Sequence, residues 1–190
     1  AIINGEEKTG VTTFFIDEKI DTGEIILQSS INIKDDETVG SLHDRLMYLG
    51  ANLVSETVDK IEEGEIKTKK QPDLEEKQAP KLFAENTQID WSQPLSIIYN
   101  KIRGLNPFPA AWTIIQNNEE QLKAKIYEVE KVKEDHNYKI GKLITSKSEL
   151  KVAVTDGFII IDQIKIAGKK KLDSKSLLNG FQFSENAKML

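Results

Sequence analysis

The sequence predicts an α+β chain of two domains. A long apolar stripe at helical spacing fills much of the first third, short alternating runs fill the last part, and a polar stretch with two prolines lies between them. Charge divides the same way. Residues 1–85 hold ten Lys and Arg against nineteen Asp and Glu, whereas residues 86–190 hold sixteen against twelve. An acidic first half and a mildly basic second half point to a polyanionic partner for the second. The expected boundaries are a first domain at 1–66, a linker at 67–88 and a second domain at 89–190.

Each element has a local cause. Ala1-Ile2-Ile3-Asn4-Gly5 reads as the last turn of a helix stopped by glycine, with no initiator methionine before it, so a fragment of a longer protein is expected. Val11 to Ile16 is β-branched and aromatic and predicts a strand; Ile25 to Ile33 predicts a second, antiparallel to it. Asp35, Asp36 and Thr38 are helix-start residues. Val39, Leu42, Leu46, Leu49, Leu53, Val58 and Ile61 then form the stripe of one amphipathic helix ending near Gly64, with Asp44, Arg45, Glu56, Asp59 and Lys60 on its solvated face. Lys67 to Gln88 holds Pro72 and Pro80 and keeps no period, as a linker would. Ser92 and Pro94 start a further helix, buried along Leu95, Ile98 and Ile102 and stopped by Gly104. A stiff turn, Leu105 to Pro109, follows.

From Ala111 the pattern is all-β. Runs at 112–115, 124–129, 150–154 and 158–166 are separated by the turn signals Asn117-Asn118 and Asp156-Gly157. Asp173-Ser174 caps a short helix, Lys175 to Leu178, closed by Asn179-Gly180. Several short strands in so few residues suggest a small barrel of OB type.

Composition excludes several chemistries. There is no cysteine, so disulfides and thiolate metal sites are ruled out. The only histidines, His43 and His136, are far apart, so no zinc site is expected. No apolar run reaches the ~18–20 residues of a membrane span, and no signal peptide is visible. The expectation is a soluble cytoplasmic protein without membrane contact.

Two groups of residues have chemical promise. Asp17, Glu18, Asp21 and Glu24 share one loop between strands, and a carboxylate beside Thr-Gly can orient an imidazole or a water. An ordinary solvated loop would look the same. His43, one step past buried Leu42, reads as structural or solvated, and His136 as surface. In the second half, Lys123, Lys125, Lys131, Lys133, the run Lys169-Lys170-Lys171 and Lys175 could form a phosphate-neutralising face, or be ordinary decoration. Trp112, Tyr127 and Phe158 lie within strand patterns and are expected in the core, leaving a barrel suited to backbone contact and not to base readout.

A family resemblance then applies. Gly10-Val11-Thr12 and Ile20-Asp21-Thr22-Gly23-Glu24-Ile25-Ile26 resemble the segment of folate-dependent formyltransferases that ends in their catalytic aspartate. The helix with Thr38 and Leu42-His43-Asp44-Arg45-Leu46 resembles the one that follows it. Ile89-Asp90-Trp91, Ile102 to Pro109, and Ala167-Gly168-Lys169-Lys170 with Leu177 to Gly180 resemble the junction and tail of methionyl-tRNA formyltransferases.

The resemblance implies the C-terminal remnant of a Rossmann-like α/β formyltransferase domain followed by an OB-like tRNA-binding domain. It implies formyl transfer from 10-formyltetrahydrofolate to the amine of initiator methionyl-tRNA, a step of translation initiation and protein biosynthesis, without a metal. Asp21 would be catalytic and Asp17, Glu18, Lys19 and Ile20 would line the folate pocket, while Lys123, Lys125, Lys169, Lys170 and Lys171 would meet tRNA. The asparagine and histidine that act with this aspartate have no matching position, so the chain alone is expected to be inactive. The full-length protein is expected to be a monomer. The alternatives are a stand-alone tRNA-binding module, or part of a formyltetrahydrofolate dehydrogenase.

Overall fold

In the unit Glu6–Lys81, two β-rich runs fold back on each other because the loop between them is short; β1 (Lys8–Phe14) and β2 (Ile25–Asn32) pair antiparallel, from Lys8 opposite Asn32 to Thr13 opposite Leu27. The chain is described by a computed structural model covering residues 1–72 and 77–190. A second unit comprises Ala1–Gly5 and Leu82–Leu190.

Helix α1 (Val39–Glu62) lies on the β1–β2 hairpin. Thr38 caps it by accepting from the Ser41 N–H at 3.3 Å, and Gly64, left-handed at φ 73°, ends it as the sequence predicts. Leu42 and Leu53 are buried, but the stripe then departs from expectation. Thr57 takes the next inward place, 6% exposed, with its hydroxyl on the Leu53 carbonyl at 2.6 Å and against Thr13 Oγ1 at 2.9 Å. Val58 and Ile61 are 47% and 46% exposed. The five-residue step from Leu53 to Val58 overruns the 3.6-residue period, so the apolar residues rotate outward. Arg45 also leaves the solvated face assigned to it. Its guanidinium meets buried Glu37 at 2.7 Å and the Asn32 carbonyl at 3.2 Å, tying the end of β2 to the helix.

In the second unit, Ile2–Asn4 forms one 3-10 turn ended by Gly5 at φ 71°. It packs on α3 (Leu95–Leu105), which follows the short α2 (Ala84–Thr87). Helix α3 does not stop at Gly104. That glycine is buried inside the helix because a Cβ there would lie 2.6 Å from Ile3 Cγ1 and 3.1 Å from the Ile3 nitrogen. Close packing, and not termination, explains it. The first turn of α3 is capped from a distance: Leu95 N–H donates to Asp156 Oδ1 at 2.7 Å.

The remaining strands are β3 (Ala111–Asn117), β4 (Glu120–Val132), β5 (Leu143–Thr145), β6 (Leu150–Val154), β7 (Gly157–Ile166), β8 (Leu172–Asp173) and β9 (Lys188–Met189), with α4 (Ser174–Gly180) after β8. All pair antiparallel, in the order β5-β6-β7-β4-β3-β9, with β8 beside β7. The Met189 N–H donates to the Gly141 carbonyl at 2.8 Å and the Leu143 N–H to Ala187 at 3.1 Å. These bonds bring the last strand to the first and nearly close a barrel-like sheet. Ile115, Ile126, Leu150, Val152, Ile159 and Ile161 fill it, with Ile98 and Ile102 of α3 in the same core. Strands β5, β8 and β9 are too short to leave a period in the sequence. The β6–β7 turn falls on Thr155 and Asp156, one residue before the expected pair, because Gly157 already pairs with Val154.

Candidate functional site

The acidic loop between β1 and β2 is shaped by hydrogen bonds that engage Asp17 and Glu24 and, among the described residues, leave the carboxylates of Glu18 and Asp21 without a partner. Asp17 accepts from the Lys19 N–H at 2.9 Å and from the Thr22 hydroxyl at 2.8 Å, closing a small ring. Gly23 lies against Phe15 so tightly that a Cβ would be 1.5 Å from the Phe15 carbonyl oxygen, so only glycine fits. Gln71 Nε2 then donates to the carbonyls of Asp21 and Gly23, each at 2.8 Å. Lys69 pairs with Ile25 through two backbone bonds of 2.8 and 2.9 Å, and Thr68 donates to Glu24. The stretch read as the start of a linker therefore braces this loop.

Asp21 is held by its backbone at φ 57°, a left-handed conformation that aspartate tolerates better than most residues. Its carboxylate is exposed and has no hydrogen-bond or ion-pair partner among the described residues. Ile16 and Ile20 beside it are 94% and 90% exposed. They place exposed apolar surface beside the carboxylate. A cleft of about 580 Å³ in the same unit is lined by Ile26, Leu27, Lys60 and residues 64–67, and does not include Asp21. His43 is exposed and sits beside Asp44 at 3.3 Å; no contact joins it to the loop among the described residues.

The sheet carries the basic residues on its outer face. Lys123 and Lys125 alternate with buried Ala124 and Ile126 on β4, and Lys165 lies opposite Lys125 on β7. Lys169 and Lys170 are exposed in the turn after β7, with Lys171 next to β8. Lys171 Nζ lies 5.0 Å from the Tyr127 ring centroid, Lys123 Nζ 4.0 Å from that of Trp112, and Lys169 Nζ 5.5 Å from that of Phe181. The structure thus brings Lys123, Lys125 and Lys171 onto one strip and adds Lys165, which sequence reading missed. Its signal was the strand register, which no single run of residues displays.

Two aromatic expectations are corrected. Phe158 is in the core, but Trp112 and Tyr127 are only half-buried, on the outer face. Strict alternation explains this: Ala111, Thr113 and Ile115 take the inward places of β3. His136 is also no loose surface residue. Its Nδ1 accepts from the Tyr138 N–H at 3.2 Å, so the ring hydrogen lies on Nε2, which donates to the Val154 and Gly157 carbonyls at 2.8 and 3.0 Å. The ring also stands 4.5 Å from Phe158.

Among the described residues no helix is long and apolar enough to cross a membrane, and no group of three or more His, Cys, Asp or Glu is placed to hold a metal.

Residues 1–58 match the family model described as "Formyl transferase", and residues 81–182 match "Formyl transferase, C-terminal domain". A methionyl-tRNA formyltransferase of Flavobacterium johnsoniae is 50% identical over 190 residues, spanning 100% of this chain and 60% of that protein. One from Bacteroides fragilis is 46% identical over 195 residues, with the same shares. The chain therefore spans about 60% of the length of these curated relatives. Among solved structures, HypX from Aquifex aeolicus in complex with tetrahydrofolic acid shares the fold, with a TM-score of 0.67 and 20% identity, covering 93% of this chain and 31% of that one.

Proposed function

The chain belongs to the formyl transferase family, and from that premise we propose that the protein carrying it moves a formyl group from 10-formyltetrahydrofolate to the amine of initiator methionyl-tRNA. The high identity to methionyl-tRNA formyltransferases across the whole chain supports this acceptor. The observation that carries the catalytic reading is Asp21: fixed by its backbone, flanked by exposed apolar groups, and with a carboxylate that no described residue engages.

The chemistry needs three things. The uncharged amine attacks the formyl carbon, the carbonyl oxygen becomes an oxyanion, and the carbon–nitrogen bond to the folate breaks as a proton moves from amine to leaving group. Asp21 serves the last of these. It orients and charge-stabilises a histidine, or holds a water that relays the proton. The backbone of Asp17 to Ile20 lines the pterin pocket, shaped by the Asp17–Thr22 bond. The histidine and asparagine of the family mechanism have no matching position in residues 1–190, so this segment by itself does not transfer formyl groups.

The hairpin with α1 is the closing part of a Rossmann-like domain at 1–66, residues 67–88 connect it onward, and the barrel of 89–190 is an OB-like tRNA-binding domain. Lys123, Lys125, Lys169, Lys170 and Lys171 neutralise tRNA phosphates. The protein is a cytoplasmic monomer. The test is direct: the protein carrying this chain is given radiolabelled 10-formyltetrahydrofolate with methionyl-tRNA, uncharged tRNA or free methionine. Label should enter only the aminoacylated tRNA. Equal transfer to free methionine, or none to any acceptor, overturns the assignment.

A further inference from the structure

Beside the basic strip, α2 and the Pro109–Trp112 segment enclose a cleft of about 240 Å³. It is smaller than the ~300–1,000 Å³ of sites for drug-sized ligands, so it suits a single ring system. Its walls are apolar: Leu82, Phe83 and Ala84 on one side, Pro109, Ala110 and Trp112 on the other. Phe83 and Leu82 are 55% and 45% exposed at its rim. Lys123 and Lys125 also line it.

Two of the lining side chains are held by hydrogen bonds. The Trp112 indole N–H donates to the Ala84 carbonyl at 2.7 Å, which holds the ring edge against α2. Lys125 Nζ donates to the Pro109 carbonyl at 3.0 Å and braces the far wall. Among the described residues Lys123 rests on the indole face alone, and it is exposed. A cation resting on an exposed ring is weakly held. A phosphate arriving at the cleft draws it away and frees the ring.

We propose that this cleft binds one unpaired nucleotide of an RNA, its base between Phe83 and Trp112 and its phosphate on Lys123. Charge complementarity selects the occupant: apolar walls alone would take any small ring, but an exposed ammonium beside an aromatic-walled cleft fits a flat base that carries an anion. A paired base, locked within a duplex, cannot enter. The site deepens the proposed tRNA substrate by naming where an unpaired nucleotide of that RNA docks.

Trp112 is its own reporter. The chain has two tryptophans, and the other, Trp91, is 4% exposed with its N–H donated to Thr113 at 2.9 Å. The protein carrying this chain is titrated with hexa-adenylate and, separately, with a blunt RNA duplex holding the same number of phosphates. Hexa-adenylate should quench tryptophan emission, the duplex should not, and Trp112→Phe should remove that quench. Phe83→Ala removes an exposed ring and should weaken hexa-adenylate binding roughly 5- to 150-fold, as loss of a stacking partner does. Lys123→Gln should weaken it and lower its salt slope by about one phosphate contact. Lys147→Gln, on an exposed turn between β5 and β6, should change neither. Equal quenching by duplex, no quenching, or unaltered binding in Phe83→Ala and Lys123→Gln overturns the site. Formylation of methionyl-tRNA with no hexa-adenylate binding overturns this inference alone; hexa-adenylate binding without formylation overturns the proposed reaction alone.

Discussion

At the scale of single residues, two aspartates four positions apart do different work. Asp17 spends its carboxylate on Lys19 and Thr22, whereas Asp21 is held by its carbonyl and its carboxylate has no partner among the described residues. Asp17→Asn should therefore raise the KM for folate more than it lowers kcat. Gln71→Ala should loosen Asp21 and lower kcat, and restoring the amide with Asn should recover only part, since it is shorter. The sequence displayed the acidic loop but not this division, because the side chain that decides it, Gln71, lies about fifty residues away in a polar stretch with no pattern. Glu37 makes a further residue-scale prediction. Burial pushes its carboxyl up, but the Arg45 hydrogen bond, the Lys34 N–H and the charges of both outweigh it, so the carboxyl is held below its ordinary value of 4.5. A carboxyl lowered on folding contributes stability that is full above about pH 4.5 and lost as pH falls through the lower folded value. Glu37→Gln should cost about 1–2 kcal/mol at pH 7, the range of a charged hydrogen bond discounted for a partly exposed partner. Denaturant unfolding at pH 7 and pH 3 should show that cost shrinking in acid.

At the scale of elements, the two long helices and the main strands were legible from their apolar periods, and α1 also from its caps. Thr38 and Gly64 bracket α1 where the sequence places them. What escaped were features set by partners distant in the chain. Gly104 looks like a helix stop, yet it serves the contact of α3 with Ile3. Gly104→Ala should thus destabilise by about 1–3 kcal/mol through overpacking, although alanine is the better helix former by about 1 kcal/mol. A gain in stability on thermal unfolding would show the contact to be slack. On the sheet, Asp162 of β7 is half-buried, and burial first, then Glu130 and Glu128, raise its carboxyl above 3.8. A carboxyl raised on folding penalises stability fully above the folded value, and the penalty vanishes below about pH 3.8. Asp162→Asn should raise stability at pH 7 by a few tenths to about 1 kcal/mol, with no gain at pH 3. An equal gain at both would place its cause outside the charge.

At the scale of the whole molecule, the uneven charge of the sequence became a strip on one face of the barrel. Lys123, Lys125 and Lys171 were legible as basic residues, and their grouping was not, since it depends on the pairing of β4 with β7 and the return through β8. If this strip holds tRNA, the logarithm of affinity should fall linearly with the logarithm of salt concentration, by about 0.7–0.9 per phosphate contact. Replacing Lys169, Lys170 and Lys171 together by Ala should flatten the slope by about two to three such contacts. An unchanged slope moves the contact elsewhere, and Lys67, Lys69 and Lys70 are then the groups to replace. The most direct measurement is a single-turnover formylation by the protein carrying this chain, with enzyme in excess of methionyl-tRNA, comparing wild type and Asp21→Asn. The rate of formyl-methionyl-tRNA appearance should fall on the order of 10²–10⁴-fold, the range of a lost proton-transfer group, with the unfolding midpoint unchanged. A variant as fast as wild type would contradict the role given to this carboxylate, and with it the chemistry assigned to the loop.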